Sequence, residues 1–224
     1  MTTTTVAAEQ CTPPPLVGDR GDLYQSLVRQ IARRCAADES RVIGVTSCTH
    51  GEGATTVATN LAKSAARSDP SRVLLIDGNT EHPALHHEFS TPGAKGWRHL
   101  LTGDSSVEDA IQATQWKNLS LITGGTEVPA TASVNPIAVA HVLEQLRESF
   151  EWVIVDLPPA NPTTSCFSVA QALGSLLLVL EAEGVRGPVA RRVCEQFQRD
   201  GVNLVGIVLN KRRSHIPNWL YRRL

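Results

Sequence analysis

Six short apolar runs punctuate the chain, at 42–45, 73–76, 119–122, 153–155, 176–180 and 205–209. Most are β-branched and nearly continuous in hydrophobicity, the pattern of strands buried on both faces of a parallel sheet. Between them, apolar residues recur at helical spacing over 55–67, 136–149, 164–173 and 188–199. An earlier helix runs from Asp22, which can serve as its N-cap, with Leu23, Leu27 and Ile31 as the apolar stripe. Trp97, Leu100 and Leu101, followed by Gly103, read as a short helix with a glycine stop, packed on the sheet. Strands alternating with helices predict right-handed crossovers and a three-layer α/β domain.

Residues 1–20 hold a Thr run and then Pro13-Pro14-Pro15, and read as a flexible lead. Residues 21–212 then form the α/β domain, and 213–224 a basic and aromatic tail. At 224 residues one domain is expected, and 42% hydrophobic residues suffice for a large core. A net charge of -1 argues against general polyanion binding. The five Cys residues lack C-x-x-C spacing, so free thiols in a reducing cytosol are expected. His82, His86 and His87 fit one helix, but no Cys or carboxylate pair completes a tetrahedral metal set. A solvated surface helix is the reading preferred there. No apolar run reaches the ~20 residues of a membrane crossing, and the start lacks the features of a secretory signal. A soluble intracellular protein is expected.

The chemistry begins after the first apolar run. Thr46-Ser47-Cys48-Thr49-His50-Gly51-Glu52-Gly53-Ala54-Thr55-Thr56 has the strand, glycine-rich loop and helix order in which backbone N–H groups cradle phosphates. The pattern G-x-x-x-x-G-K-[ST] keeps its magnesium-binding hydroxyl as Thr55 and loses its lysine to Ala54. Ligands in such sheets sit beyond the carboxyl ends of the strands. There the sequence places Asp77, Asp156 and Asn210. One strand-tip Asp alone would be read as a turn cap, but two with Asn210 and the loop favour a phosphate site. Cys48, within the loop, reads as a small neutral filler rather than a reactive thiol.

Together the loop, "VLLIDGNTEHPALHHEF", "WVIVDLPP" and "GIVLNKRR" resemble the cytoplasmic domain of the bacterial tyrosine kinases that regulate exopolysaccharide and capsule synthesis. The resemblance covers roughly Asp22 to the C-terminus and implies the deviant P-loop ATPase fold shared with septum-site and partition ATPases. It implies that Gly51, Glu52, Gly53, Ala54, Thr55 and Thr56 surround the phosphates. Thr55, Asp77 and Asp156 would hold magnesium, with the two acids catalytic in an active member. Asn210 would contact adenine.

The departures weigh as much as the matches. His50 and Ala54 replace the loop's Pro and Lys, and Asn79 and Glu81 replace the second Asp and the Arg of D-x-D-x-R. The ring-docking E-x-x-R-x-x-R segment matches Asp22, Gln25 and Val28, so both arginines are gone. Of the tail tyrosines only Tyr221 remains. A charge-assisted phosphate contact contributes ~1.5–3 kcal/mol, so losing one slows an enzyme, while losing all of these groups predicts no working kinase. Magnesium-ATP or magnesium-ADP is then expected to bind weakly or not at all.

The resulting reading is a degenerate kinase-like regulator, cytoplasmic and peripheral to the inner membrane through a membrane-anchored polysaccharide chain-length protein. One alternative is an active ATPase or tyrosine autokinase completed by a partner. Another is a partition-type positioning ATPase, although Thr49 stands where that type has its signature lysine. The tail, with Lys211, Arg212, Arg213, Trp219, Leu220, Tyr221, Arg222 and Arg223, suits an anionic membrane surface, an acidic partner loop or a solvated helix end. No basic stripe elsewhere supports nucleic-acid binding.

Overall fold

The computed structural model describes residues 20–34, 41–67, 71–92, 95–126, 134–184 and 187–211. The predicted lead, apart from Arg20, and the 213–224 tail lie outside the described residues. Among the described residues, seven strands form one sheet: β1 (Arg41–Ser47), β2 (Val73–Asp77), β3 (Gln112–Ala113), β4 (Leu119–Ile122), β5 (Trp152–Asp156), β6 (Ser175–Glu181) and β7 (Asn203–Asn210). Their order is β3-β4-β2-β5-β1-β6-β7, and every pairing is parallel except the short β3–β4 ladder. The helices are α1 (Arg20–Arg34), α2 (Ala54–Ala66), α3 (Leu85–Glu88), α4 (Trp97–Thr102), α5 (Val107–Ala110), α6 (Pro136–Ser149), α7 (Cys166–Leu173) and α8 (Gly187–Arg199).

The near-continuous hydrophobicity of the strands has a direct cause. Along β2, Leu74 and Ile76 enter the core shared with α4, α6, α7 and α8, while Val73 and Leu75 enter the core shared with α1 and α2. Successive side chains of a strand point to opposite faces, so a sheet covered on both sides requires apolar residues at every position. At Gly44 on β1 the layers approach so closely that a Cβ would lie 2.8–2.9 Å from Leu157, Leu173 and Leu176.

Two expectations for the first helix are corrected. The helix begins at Arg20, so Asp22 lies within its first turn rather than capping it. Its inward face runs through Tyr24, Leu27, Val28 and Ile31, and Leu23 is exposed. That face follows i, i+3, i+4, i+7 spacing, which leaves Leu23 outside the buried arc. Gly103 does end α4, at φ 80°, and Trp97 and Leu100 are buried. The helix predicted around the histidines is one turn, α3, with His86 and His87 in it and His82 ahead of it. Among the described residues no helix is long and apolar enough to cross a membrane.

Candidate functional site

The glycine loop leaves β1 at Ser47 and enters α2 at Ala54. Gly51 and Gly53 take left-handed φ values of 85° and 93°, which glycine adopts without strain. Gly53 is also hemmed in, since a Cβ there would run into Nδ2 of Asn210. That amide donates to the Glu52 carbonyl at 2.8 Å, so the end of β7 buttresses the loop. The Glu52 side chain turns inward: Oε2 accepts from the Cys48 N–H at 2.9 Å and Oε1 from the Thr49 hydroxyl at 2.8 Å. Ala54 is buried at the start of α2, against the core beneath, and Thr56 is exposed. Cys48 is buried, and desolvation first, then the nearby Glu52 charge, pushes its thiol up to about 12. It is a neutral filler there.

The acids converge as the strand ends require. Asp77 and Asp156 are register partners on adjacent strands, and both are buried. The Thr55 hydroxyl donates to Asp156 Oδ2 at 2.7 Å, joining the loop helix to β5. Asp77 Oδ2 accepts from the N–H groups of Ala84 and Leu85 at 2.9 and 3.0 Å, where α3 begins. Among the described residues neither outer oxygen, Asp77 Oδ1 or Asp156 Oδ1, has a hydrogen-bond partner. Desolvation raises Asp156 to about 8, against the Thr55 hydrogen bond and with the help of the Asp77 charge. Desolvation raises Asp77 to about 6, opposed by its backbone hydrogen bonds and then by the Arg98 charge.

Two buried carboxylate oxygens without partners, next to a threonine hydroxyl, form an all-oxygen donor set suited to a hard divalent cation such as magnesium. Thr55, Asp77 and Asp156 would hold it, and its charge would offset their burial and that of a phosphate. Asn79 uses its side chain otherwise, accepting from the His82 N–H at 3.3 Å to close a turn. His82 meets His50 of the loop edge-to-face, ring centroids 5.2 Å apart. Sequence reasoning missed Arg98, a basic residue close enough for its charge to act on Asp77, because the segment around it carries only a packing signal. It also missed the inward Glu52 carboxylate, whose partners are set by the loop's three-dimensional path.

Comparison with known proteins agrees with this architecture. The AAA domain family model matches residues 40–183. Tyrosine-protein kinase CpsD of Streptococcus agalactiae serotype III (strain NEM316) is 29% identical over 183 residues, 81% of this chain and 78% of that protein. This chain belongs to the AAA-domain family, and its kin there are the bacterial tyrosine kinases. Succinoglycan biosynthesis transport protein ExoP of Rhizobium meliloti (strain 1021) is 27% identical over 79% of this chain, which spans only 23% of ExoP. The septum site-determining protein MinD of Pyrococcus horikoshii OT3, solved with Mg-ADP, superposes with a TM-score of 0.68. It is 23% identical, with 82% of this chain and 76% of that one covered, and shows the shared P-loop fold.

Proposed function

We propose that this chain is a non-catalytic, nucleotide-sensing member of the tyrosine-kinase family that regulates exopolysaccharide or capsule synthesis through a membrane-anchored chain-length protein. The observation that carries the reading is Ala54, buried at the first position of α2 where the loop pattern has its lysine. Thr55, Asp77 and Asp156 still gather at one point, which supports a retained phosphate and magnesium position in a loop without its lysine. ExoP's role in succinoglycan biosynthesis transport supports the polysaccharide setting. MinD's bound Mg-ADP supports the ligand class.

The partner-completed kinase remains the second reading, favoured by the intact Thr55–Asp156 hydrogen bond. A partition-type role is less well supported, because Thr49 donates its hydroxyl to Glu52 inside the loop. Purified protein incubated with magnesium-ATP should release phosphate, and acquire phosphotyrosine, no faster than an Asp77→Ala, Asp156→Ala control. Turnover above that control in the isolated chain would overturn the non-catalytic assignment.

A further inference from the structure

The site gathers three buried carboxylates, Glu52, Asp77 and Asp156, and its loop offers no lysine. A polyphosphate carries several negative charges into this buried acidic pocket, and burying them calls for a compensating cation. The fold delivers one from outside the loop. α4 is pinned to the end of β4, with the Trp97 N–H donating to the Thr123 carbonyl at 2.7 Å and the Arg98 N–H to that of Gly124 at 3.3 Å. Trp97 is fully buried, and Gly96 has no room for a Cβ against the backbone of Thr123 and Gly125. Gly124 in turn packs beside Asp77, a Cβ there lying 3.7 Å from the Asp77 carbonyl oxygen. β4 and β2 are neighbours in the sheet, so the backbone that pins α4 lies next to the strand end that carries Asp77. Arg98, its second residue, is half-buried; desolvation lowers its pKa, and the nearby Asp77 charge opposes that shift.

We propose that Arg98 is the phosphate-binding cation of this site, its guanidinium holding the terminal phosphate of a nucleoside di- or triphosphate in place of the lysine lost at Ala54. The inference rests on the nucleotide-sensing reading. A guanidinium suits the task, since its planar fork binds phosphate oxygens in pairs and its charge persists at every working pH. Three lysines of the domain face other carboxylates: Lys63 meets Glu88 at 2.9 Å, Lys95 meets Asp109 at 3.0 Å and Lys211 meets Glu181 at 3.3 Å. A cation arriving from β4 rather than from the loop also explains how the loop could lose its lysine while Thr55, Asp77 and Asp156 kept their arrangement.

The test is calorimetric titration of the full chain, wild type and Arg98→Gln, with ATP, ADP and adenosine in magnesium buffer. Arg98→Gln should lose about ten- to a hundredfold in ATP and ADP affinity, the range for one charge-assisted contact, and should keep its adenosine affinity. Adding Ala54→Lys to Arg98→Gln should recover most of the loss. The ATP-to-adenosine ratio is taken within each protein, so lowered stability of a variant does not mimic the effect. An unchanged ratio in Arg98→Gln overturns the proposal and leaves the nucleotide reading standing. A wild-type protein that binds neither ATP nor ADP overturns the nucleotide reading, and the proposal with it.

Discussion

Asp156 keeps its carboxyl where water does not reach, and it therefore holds its proton to about pH 8, against about 3.9 for an unperturbed Asp. The folded chain binds the proton more tightly than the unfolded one. Its contribution to stability is fully present below about pH 4 and is lost as pH rises through 8. Asp77, raised to about 6, acts in the same direction over a narrower window. Asp156→Asn retains an oxygen to accept from Thr55 and removes the titration. In buffer with chelator and no nucleotide, the variant should melt higher than wild type at pH 8 to 9. The gain should be a few kcal/mol, since each tenfold difference in proton affinity between the folded and unfolded chain is worth ~1.4 kcal/mol. The wild-type slope between pH 4 and 8 should flatten, and parallel melting profiles for the two proteins would contradict this. At this scale the acids and Thr55 were legible because strand-end residues and loop spacing are local facts of the sequence. Arg98 was not, since its meeting with Asp77 depends on two glycines letting α4 dock on β4.

Among the elements, the near-continuous apolar runs named their strands because both faces of the sheet are covered. The limits of the reading are equally physical. β3 spans two residues and α5 four, too short for any periodicity to show. β7 extends two residues ahead of its predicted start, as an edge strand whose side chains are only partly covered. β1 is fixed instead by what it lacks. Gly44 admits Leu157, Leu173 and Leu176 to a space that any side chain would need. Gly44→Val should force these leucines apart and cost ~1–3 kcal/mol, the usual penalty for overpacking a filled core. Denaturant unfolding would show it as a lower midpoint at unchanged slope. Because β1 feeds the glycine loop, nucleotide affinity should fall with it. A variant as stable as wild type would mean that α7 can shift outward without loss.

For the whole molecule, the question is whether this domain assembles into the ring implied by its resemblance to the tyrosine kinases. The docking segment there needs two arginines on the first helix, and the matching positions hold Gln25 and Val28. The fold shows that the loss at Val28 goes deeper than residue type. Val28 is 8% exposed and packs with Ile31 and the α2 side chains in the core, so a side chain there does not face a neighbouring subunit. α1 also spends a guanidinium internally, with Arg34 Nη1 donating to the Val205 carbonyl on β7 at 2.8 Å. Glutamine cannot replace the paired donors that a guanidinium offers a carboxylate, so positions 25 and 28 supply no docking fork. Sedimentation velocity at micromolar concentration should therefore find monomer or dimer, and a stable octamer would refute this. Rebuilding the motif should not rescue a ring either. Val28→Arg would place an unpaired charge against the α2 core, and its main effect should be a lower melting temperature, because burying an uncompensated charge costs more than a surface ion pair returns.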